Sequence, residues 1–308
     1  MNKSARSLRA RFLLSDARPS LGQDLNMTHY VVYDVFTDAP FGGNQLAVFP
    51  DARSLPEERL QSIAAEFNFS EVTFVYPPED KNHTAKVRIF TPTSEVDFAG
   101  HPVIGTVIAL SDLGYSAPMT LELGIGPMPC ALSGGIASFT TSAALELLGQ
   151  PDTALVARAL GLPEAAIKTD IHPPQHASLG LPFVLVELSS REDLAAIATD
   201  VSAFREGVKR YPASLDFAIF AYVRSGNDIS SRMFAPLDNI PEDPATGSAS
   251  ATTAALLTQI NGAPQRLEFH QGEDMGRSSF ISASTTHGPI SVTISGRAVK
   301  VMDGQFLG

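Results

Sequence analysis

The residues able to do chemistry in this chain gather at three short stretches. Asn68-Phe-Ser-Glu71-Val-Thr-Phe74 sets one carboxyl between a helical run and an apolar, strand-like run. Asp97-Phe-Ala-Gly100-His101-Pro sets an imidazole beside a glycine, just ahead of a helix-like run. Glu242-Asp243-Pro-Ala-Thr-Gly247-Ser248-Ala does the same with a carboxyl and a hydroxyl. A carboxyl enclosed by Phe69, Val72 and Phe74 would have its charged form disfavoured. Its pKa would then rise toward neutrality, where a general acid/base works best. Glu71 reads equally as a surface-edge carboxylate, and nearby helix ends would push its pKa the other way. His101 reads either as a packed loop histidine or as a proton handler. Asp243 and Ser248, taken singly, read as ordinary helix caps.

The elements that must position these groups are written twice. Arg88-Ile-Phe-Thr-Pro92 leads into the histidine stretch, and Arg232-Met-Phe-Ala-Pro236 leads into the Asp243 stretch. Each copy is a strand-like run, an acidic loop, a Gly-rich turn and a helix-like run, Val103–Leu113 or Ala249–Ile260. Strand-like Leu121-Glu-Leu-Gly and Leu267-Glu-Phe-His follow. The offset, 144 to 146 residues, is far too long for a solenoid. The expectation is two copies of one α+β unit, 28–145 and 146–308, with a C-terminal strand able to return to the first.

That duplication changes the chemistry. A helix N-terminus leaves up to four backbone N–H groups without internal partners and carries about half a positive charge. It therefore favours a carboxylate or phosphate. Two such ends facing each other across a pseudo-twofold would cradle a small anion in the cleft between the halves, with no basic residue required.

Elsewhere, Val31–Phe36, Val72–Tyr76, Lys86–Phe90, Phe183–Leu188, Phe217–Val223, Phe280–Ala283 and Ile290–Ile294 read as strands. Pro56–Phe67 reads as a helix, with Leu60, Ile63, Ala64 and Phe67 on one face and Ser54 as its N-cap. Pro151–Leu160 and Arg191–Thr199 read as helices, and Gly161–Leu181 as a connection. Strands and helices do not alternate strictly, which argues against a doubly wound parallel sheet.

Composition narrows the classes. The 308 residues are 44% hydrophobic with a formal charge of −11. Such a chain can bury a core, and it is a poor binder of phosphate backbones. No apolar run approaches the ~20 residues that span a bilayer, and a cytoplasmic location is expected. Residues 1–26 mix Arg and Ser with the short apolar patch Phe12–Leu14. They read as a disordered extension ahead of residue 28 whose deletion leaves folding and activity intact. The single cysteine, Cys130, excludes a two-thiol mechanism and reads as a small packed residue. No P-loop, His-Glu-x-x-His or Gly-x-Ser-x-Gly element is present, and Gly124-Ile-Gly126 lacks the third glycine of a dinucleotide fingerprint. His172 and His176 have helical ligand spacing, but Pro173 and Pro174 make that segment a loop. No metal site is expected.

With these motifs on the page, the chain resembles the phenazine-biosynthesis PhzF-like family. Asp34-Val-Phe-Thr37, Phe41-Gly-Gly-Asn44-Gln-Leu-Ala-Val48, the Glu71, His101 and Asp243 stretches, and Gln271-Gly-Glu-Asp-Met-Gly276-Arg277 coincide in order from about residue 28 to the end. Gln45 departs from the pattern, standing where a proline is frequent. The resemblance implies the diaminopimelate-epimerase-like fold: two similar halves, each a β-sheet curled around a central helix, with the site between them. It implies a homodimer, with no metal or organic cofactor. The family's best-studied activity isomerises trans-2,3-dihydro-3-hydroxyanthranilate by shifting a proton. By motif, Glu71 would move that proton, with His101 and Asp243 assisting. Gly100 and Gly247 would give backbone N–H groups to the substrate carboxylate, and Ser248 and Asn44 would contact substrate. Two other readings stay open: a non-catalytic metabolite-binding protein, and an epimerase-like enzyme without the cysteine pair.

Overall fold

The computed structural model describes residues 27–307; the expected extension over residues 1–26 lies outside them. The first half contains β1 (Met27–Val35), β2 (Asn44–Phe49), α1 (Leu60–Phe67), β3 (Glu71–Tyr76), β4 (Ala85–Phe90), β5 (Glu95–Val96), α2 (Gly100–Asp112), β6 (Met119–Leu123), β7 (Gly126–Ser133) and β8 (Ile136–Thr141). Next come β9 (Glu146–Gly149), α3 (Thr153–Leu160), β10 (Gln175–Ser178), β11 (Pro182–Glu187), α4 (Arg191–Ala195) and α5 (Val201–Arg210). The chain continues with β12 (Ile219–Ser225), β13 (Asp228–Ala235), β14 (Ile240–Asp243), α6 (Gly247–Asn261), β15 (Arg266–Gln271), β16 (Ser279–Thr285), β17 (Val292–Gly296) and β18 (Ala298–Leu307).

The repeat read in the sequence is a repeat of topology. Along β1-β2-β3-β4-β6-β7-β8 the neighbouring pairs run antiparallel, parallel, antiparallel, parallel, antiparallel, antiparallel. Along β10-β11-β12-β13-β15-β16-β17 the succession is the same. The short β5 hangs on β4 as β14 hangs on β13. β18 flanks β1 as β9 flanks β10, with Met27 opposite Leu307. β8 pairs with β17 and fuses the two sheets.

Each sheet wraps its own helix. α2 packs against β1, β2, β3, β7, β8 and β18; α6 packs against β10, β11, β15, β16 and β17. A helix enclosed on all sides must be apolar or satisfied all round, and both are. Every α2 residue from Gly100 to Leu110 is buried. In α6 the buried hydroxyls of Ser250, Thr252, Thr253 and Thr258 donate to carbonyls four residues back, so they leave no orphan polar group. Gly105 lets α2 approach its sheet: a Cβ there would lie 2.5 Å from Leu46 Cδ2 and 2.7 Å from Val35 Cγ2. The outer face of the first sheet packs on α1 through Phe49, Leu60, Ile63 and Phe74. Leu155, Leu160, Leu194 and Phe204, from α3 to α5, cover the second.

Local readings are corrected in four places. Ser54 does not cap a helix; its Oγ lies 2.8 Å from Thr28 Oγ1, and the segment opens with a 3-10 turn, Glu57–Arg59, behind Pro56. The stretch 161–181 contains β10, too short and too close to Pro173-Pro174 to announce itself. The helix begun at Arg191 ends at Ala195, and a separate one, α5, follows. The central helices start at Gly100 and Gly247, ahead of the apolar runs that mark them.

Candidate active site

The N-termini of α2 and α6 meet. A Cβ on Gly100 would lie 3.4 Å from Ser248 N and 3.5 Å from Gly247 Cα. Neither helix has a side-chain cap, at Ala99 or at Thr246. Their first N–H groups therefore remain available to a ligand. Pro102 sits in the first turn of α2, where a missing N–H costs nothing. Asn68, left-handed at φ 51° as the C-cap of α1, turns the chain so that β3 opens on Glu71. Glu71, Gly100, His101, Asp243, Gly247 and Ser248 line one cavity of about 110 Å³. Residues 71, 101 and 243 thus converge from opposite halves of the chain.

His101 Nδ1 lies 3.3 Å from Glu71 Oε2, yet Glu71 Oε2 and His101 Nε2 have no aligned hydrogen-bond partner. Burial pushes the Glu71 pKa up to about 8, with the neighbouring charge of Asp243 adding to the rise. Burial also raises Asp243, to about 6, against the hydrogen bonds it accepts from Thr246, Ser70 and Asn44. Burial holds His101 down at about 3, so its ring is neutral. Of the opposing influences on Glu71 that the sequence left open, desolvation prevails. Near pH 7 the pair of carboxyls shares one proton, held mainly on Glu71.

Asp243 is fixed from behind. Its Oδ1 accepts from Asn44 Nδ2 at 2.8 Å and Ser70 Oγ at 3.1 Å, and its Oδ2 from Thr246 Oγ1 at 2.5 Å. Gln271 Nε2 donates to the Asp243 carbonyl at 2.8 Å, while its Oε1 accepts from Thr246 N at 3.1 Å. Asn44 therefore stands behind the carboxylate: its amide is spent on Asp243 and, at 3.2 Å, on the Ala245 carbonyl. It is not among the residues lining the cavity. Sequence reasoning missed the roles of Ser70, Thr246 and Gln271. Their only signal was membership of the motifs that carry Glu71, Asp243 and Gly276.

The strap from β13 to Asp243 is pinned by an arginine. Arg232 forks onto Glu242 with two bonds of 2.8 Å and donates to the Leu194 carbonyl at 2.9 Å. The first half repeats the fork: Arg88 grips Glu95 with two bonds of 2.7 Å. The two copies differ in exposure, with side chains 10% and 16% accessible at Arg232–Glu242 but 22% and 41% at Arg88–Glu95. Removing one partner of a buried pair strands the other charge. Arg232→Met is therefore expected to cost about 3 kcal/mol of stability, and Arg88→Met under ~1 kcal/mol. Urea unfolding of the two variants checks this.

The remaining candidates lie elsewhere. Cys130 is buried on β7, its thiol pushed up to about 12. His172 Nε2 meets Tyr222 Oη at 2.7 Å, and His176 belongs to β10. Among the described residues no group of three or more His, Cys, Asp or Glu is arranged to hold a metal ion.

Comparison with known proteins agrees with this architecture. The model of the family described as phenazine biosynthesis-like protein matches residues 33–304. An uncharacterized isomerase of Mesorhizobium japonicum is 36% identical over 296 residues, 90% of this chain and 98% of that one. The trans-2,3-dihydro-3-hydroxyanthranilate isomerase of Pseudomonas aeruginosa is 35% identical over 263 residues, 82% of this chain and 88% of that one. A crystal structure of a PhzF-family phenazine biosynthesis protein from Bacillus anthracis superposes with a TM-score of 0.81. It covers 91% of this chain and 99% of its own at 23% identity, and so speaks for the fold. The α+β, diaminopimelate-epimerase-like fold is the observed one. With the family model running from β1 to β18 and relatives above 30% identity along most of its length, the chain belongs to the phenazine biosynthesis-like, or PhzF, family and is an isomerase.

Proposed function

We propose that the protein moves a proton between two carbons of a small carboxylate, without a metal or organic cofactor, and that Glu71 carries the proton. One observation carries the reading: a buried carboxyl with its pKa raised to about 8 lines the same cavity as two uncapped helix N-termini. The substrate carboxylate rests on the backbone N–H groups of Gly100 and Gly247. Glu71, as carboxylate, takes a proton from an adjacent C–H. The electron pair left behind delocalises toward the carboxylate, where the helix ends stabilise it. Glu71, now the acid, returns the proton to another carbon of the conjugated system and regains its starting form. Neutral His101 and hydrogen-bonded Asp243 hold the reacting atoms and keep Glu71 basic.

The names of the relatives make trans-2,3-dihydro-3-hydroxyanthranilate the first substrate to try. Turnover of substrate deuterated at the carbon that gives up its proton, followed by NMR, should move that deuterium to the second carbon or lose it to water. Product that keeps the deuterium at its original carbon, or product equally formed by Glu71→Gln, would refute the proposal. Because the free enzyme must ionise Glu71 before it takes a proton, kcat/KM should rise with pH, pass its half-maximum near 8 and level off above it. A profile that is flat between pH 6 and about 9 would count against Glu71 as the base. A homodimer and a cytoplasmic location belong to the same proposal and rest on the family resemblance. Among the described residues, no helix is long and apolar enough to cross a membrane.

A further inference from the structure

The two halves differ at one turn. In the second, β10 returns as β11 through three residues, 179–181. In the first, β1 returns as β2 through eight, 36–43, a stretch ending in Phe41-Gly-Gly43 just ahead of Asn44. Eight residues are more than a hairpin needs, and this loop reaches across to the other half. Gly43 N donates to the Ser278 carbonyl at 3.1 Å. Arg277 answers in the opposite direction: its Nε donates to the Gly43 carbonyl at 2.9 Å and its Nη2 to the Gly42 carbonyl at 2.7 Å. The same Nη2 lies 2.7 Å from Asp34 Oδ1, while Asp34 Oδ2 accepts from Phe41 N at 2.7 Å.

Asp34 is 2% accessible, so its charge depends on this guanidinium and on the Phe41 N–H. The turn leaves no slack. Gly43 is left-handed at φ 60°, and a Cβ on Gly42 would lie 2.6 Å from Thr37 Oγ1 and 2.8 Å from the Ser278 carbonyl oxygen. Asn44, the next residue, spends its amide on Asp243 Oδ1. Neither Arg277 nor Asn44 lines the cavity. A lysine could neutralise Asp34, but its single nitrogen cannot reproduce the spread of Nε and Nη2 over a carboxylate and two carbonyls. We propose that Arg277 is a positioning residue: it clasps the Gly42-Gly43 turn onto Asp34 and so holds Asn44, and through Asn44 the carboxylate of Asp243, in the cavity shared with Glu71. The consequence for turnover rests on the isomerase reading; the placing of Asp243 does not. Loss of the Asn44 bond should raise the Asp243 pKa, because that hydrogen bond favours the charged form.

The test is the titration of Asp243 followed by carbon-13 NMR. The full chain carries Glu71→Gln, so that the neighbouring carboxyl does not titrate with it, and His101 stays neutral. Asn44→Ala should raise the midpoint by roughly 0.5–1 pH unit, a ~3- to 10-fold gain in proton affinity. Arg277→Lys should raise it by a similar amount, and the two changes together by no more than either alone. A midpoint unmoved in Arg277→Lys would overturn the proposal. So would shifts that add in the double variant, since Arg277 would then act by another route. If the lysine protein does not fold, Asp34→Asn with Arg277→Met removes the clasp and its buried charge together and must give the same shift. With Glu71 in place, Arg277→Lys should lower kcat ~10-fold and leave KM within about 2-fold, because the helix ends that meet the substrate carboxylate are untouched. A raised KM with kcat intact would also overturn the proposal. The two readings fail separately. Turnover that survives Glu71→Gln sinks the proton-transfer mechanism and leaves the clasp standing. An unmoved Asp243 in an enzyme that needs Glu71 does the reverse.

Discussion

Glu71→Gln should lose at least ~10²-fold in kcat/KM, the scale of a lost general acid/base, while gaining stability in alkaline solution. The two effects have one origin. Burial raises the carboxyl from an ordinary 4.5 to about 8, so the folded protein holds this proton more tightly than the unfolded chain does. That contribution to stability is fully present below pH 4.5 and is lost as pH rises toward 8. Above it, the wild type must carry a buried charge, and glutamine carries none. The variant's advantage should approach zero near pH 4.5 and grow to a few kcal/mol, roughly, above pH 8. Thermal unfolding of both proteins across that range would show a widening gap in Tm. A gap that closes with rising pH would mean that Glu71 is ionised in the folded state, and the proton-carrier role would fall with it.

Asp243→Asn should also cost about 10²-fold in kcat/KM, and it should move the pH profile. The charge of Asp243 is the second cause of the high Glu71 pKa. Without it the rise of kcat/KM should begin at lower pH, in the direction opposite to simple damage by a misplaced base. The replacement also disturbs the cradle. Asn44 Nδ2, Ser70 Oγ and Thr246 Oγ1 all donate to this carboxylate, and an amide NH₂ turned toward them leaves a buried donor unpaired. Some loss of stability is therefore expected as well. An activity loss with the profile unmoved would show that Asp243 acts through packing alone.

The sequence made the frame of the candidate site legible because its motifs and its topology were duplicated together. Gly100 and Gly247 each open a run of small apolar residues, and a helix that is apolar on every face must lie inside something. Their convergence followed from the repeat. What stayed hidden depends on tertiary contact. The amide of Asn44 looks like a substrate ligand until Asp243, far along the chain, is found at its tip. Whether Glu71 is buried could not be read from Phe69 and Phe74 alone, because the opposing wall comes from β11 and β13. α5 escaped notice because its residues are largely polar, with only Ala203, Phe204 and Gly207 buried. β10 hid because four residues give no period. A C-terminal strand returning to the first half was expected, but the bounds of β18 stayed hidden because exposed and half-exposed residues dominate it, so alternation between an inner and an outer face is faint.

The position of β18 has a consequence for biosynthesis. It zips onto β1 along nearly its whole length, Leu307 beside Met27 and Ala298 beside Val35, so the strand that borders β1 leaves the ribosome only after everything from β2 to β17 has been made. Until then β1 presents bare N–H and C=O groups, and the first half waits unfinished through synthesis of the entire second half. Bringing such distant segments together is slow, since the entropy of closing the intervening chain must be overcome before the pairing stabilises anything. Nascent chains stalled before residue 298 should accordingly expose an edge that chaperones, or other copies of the chain, can seize.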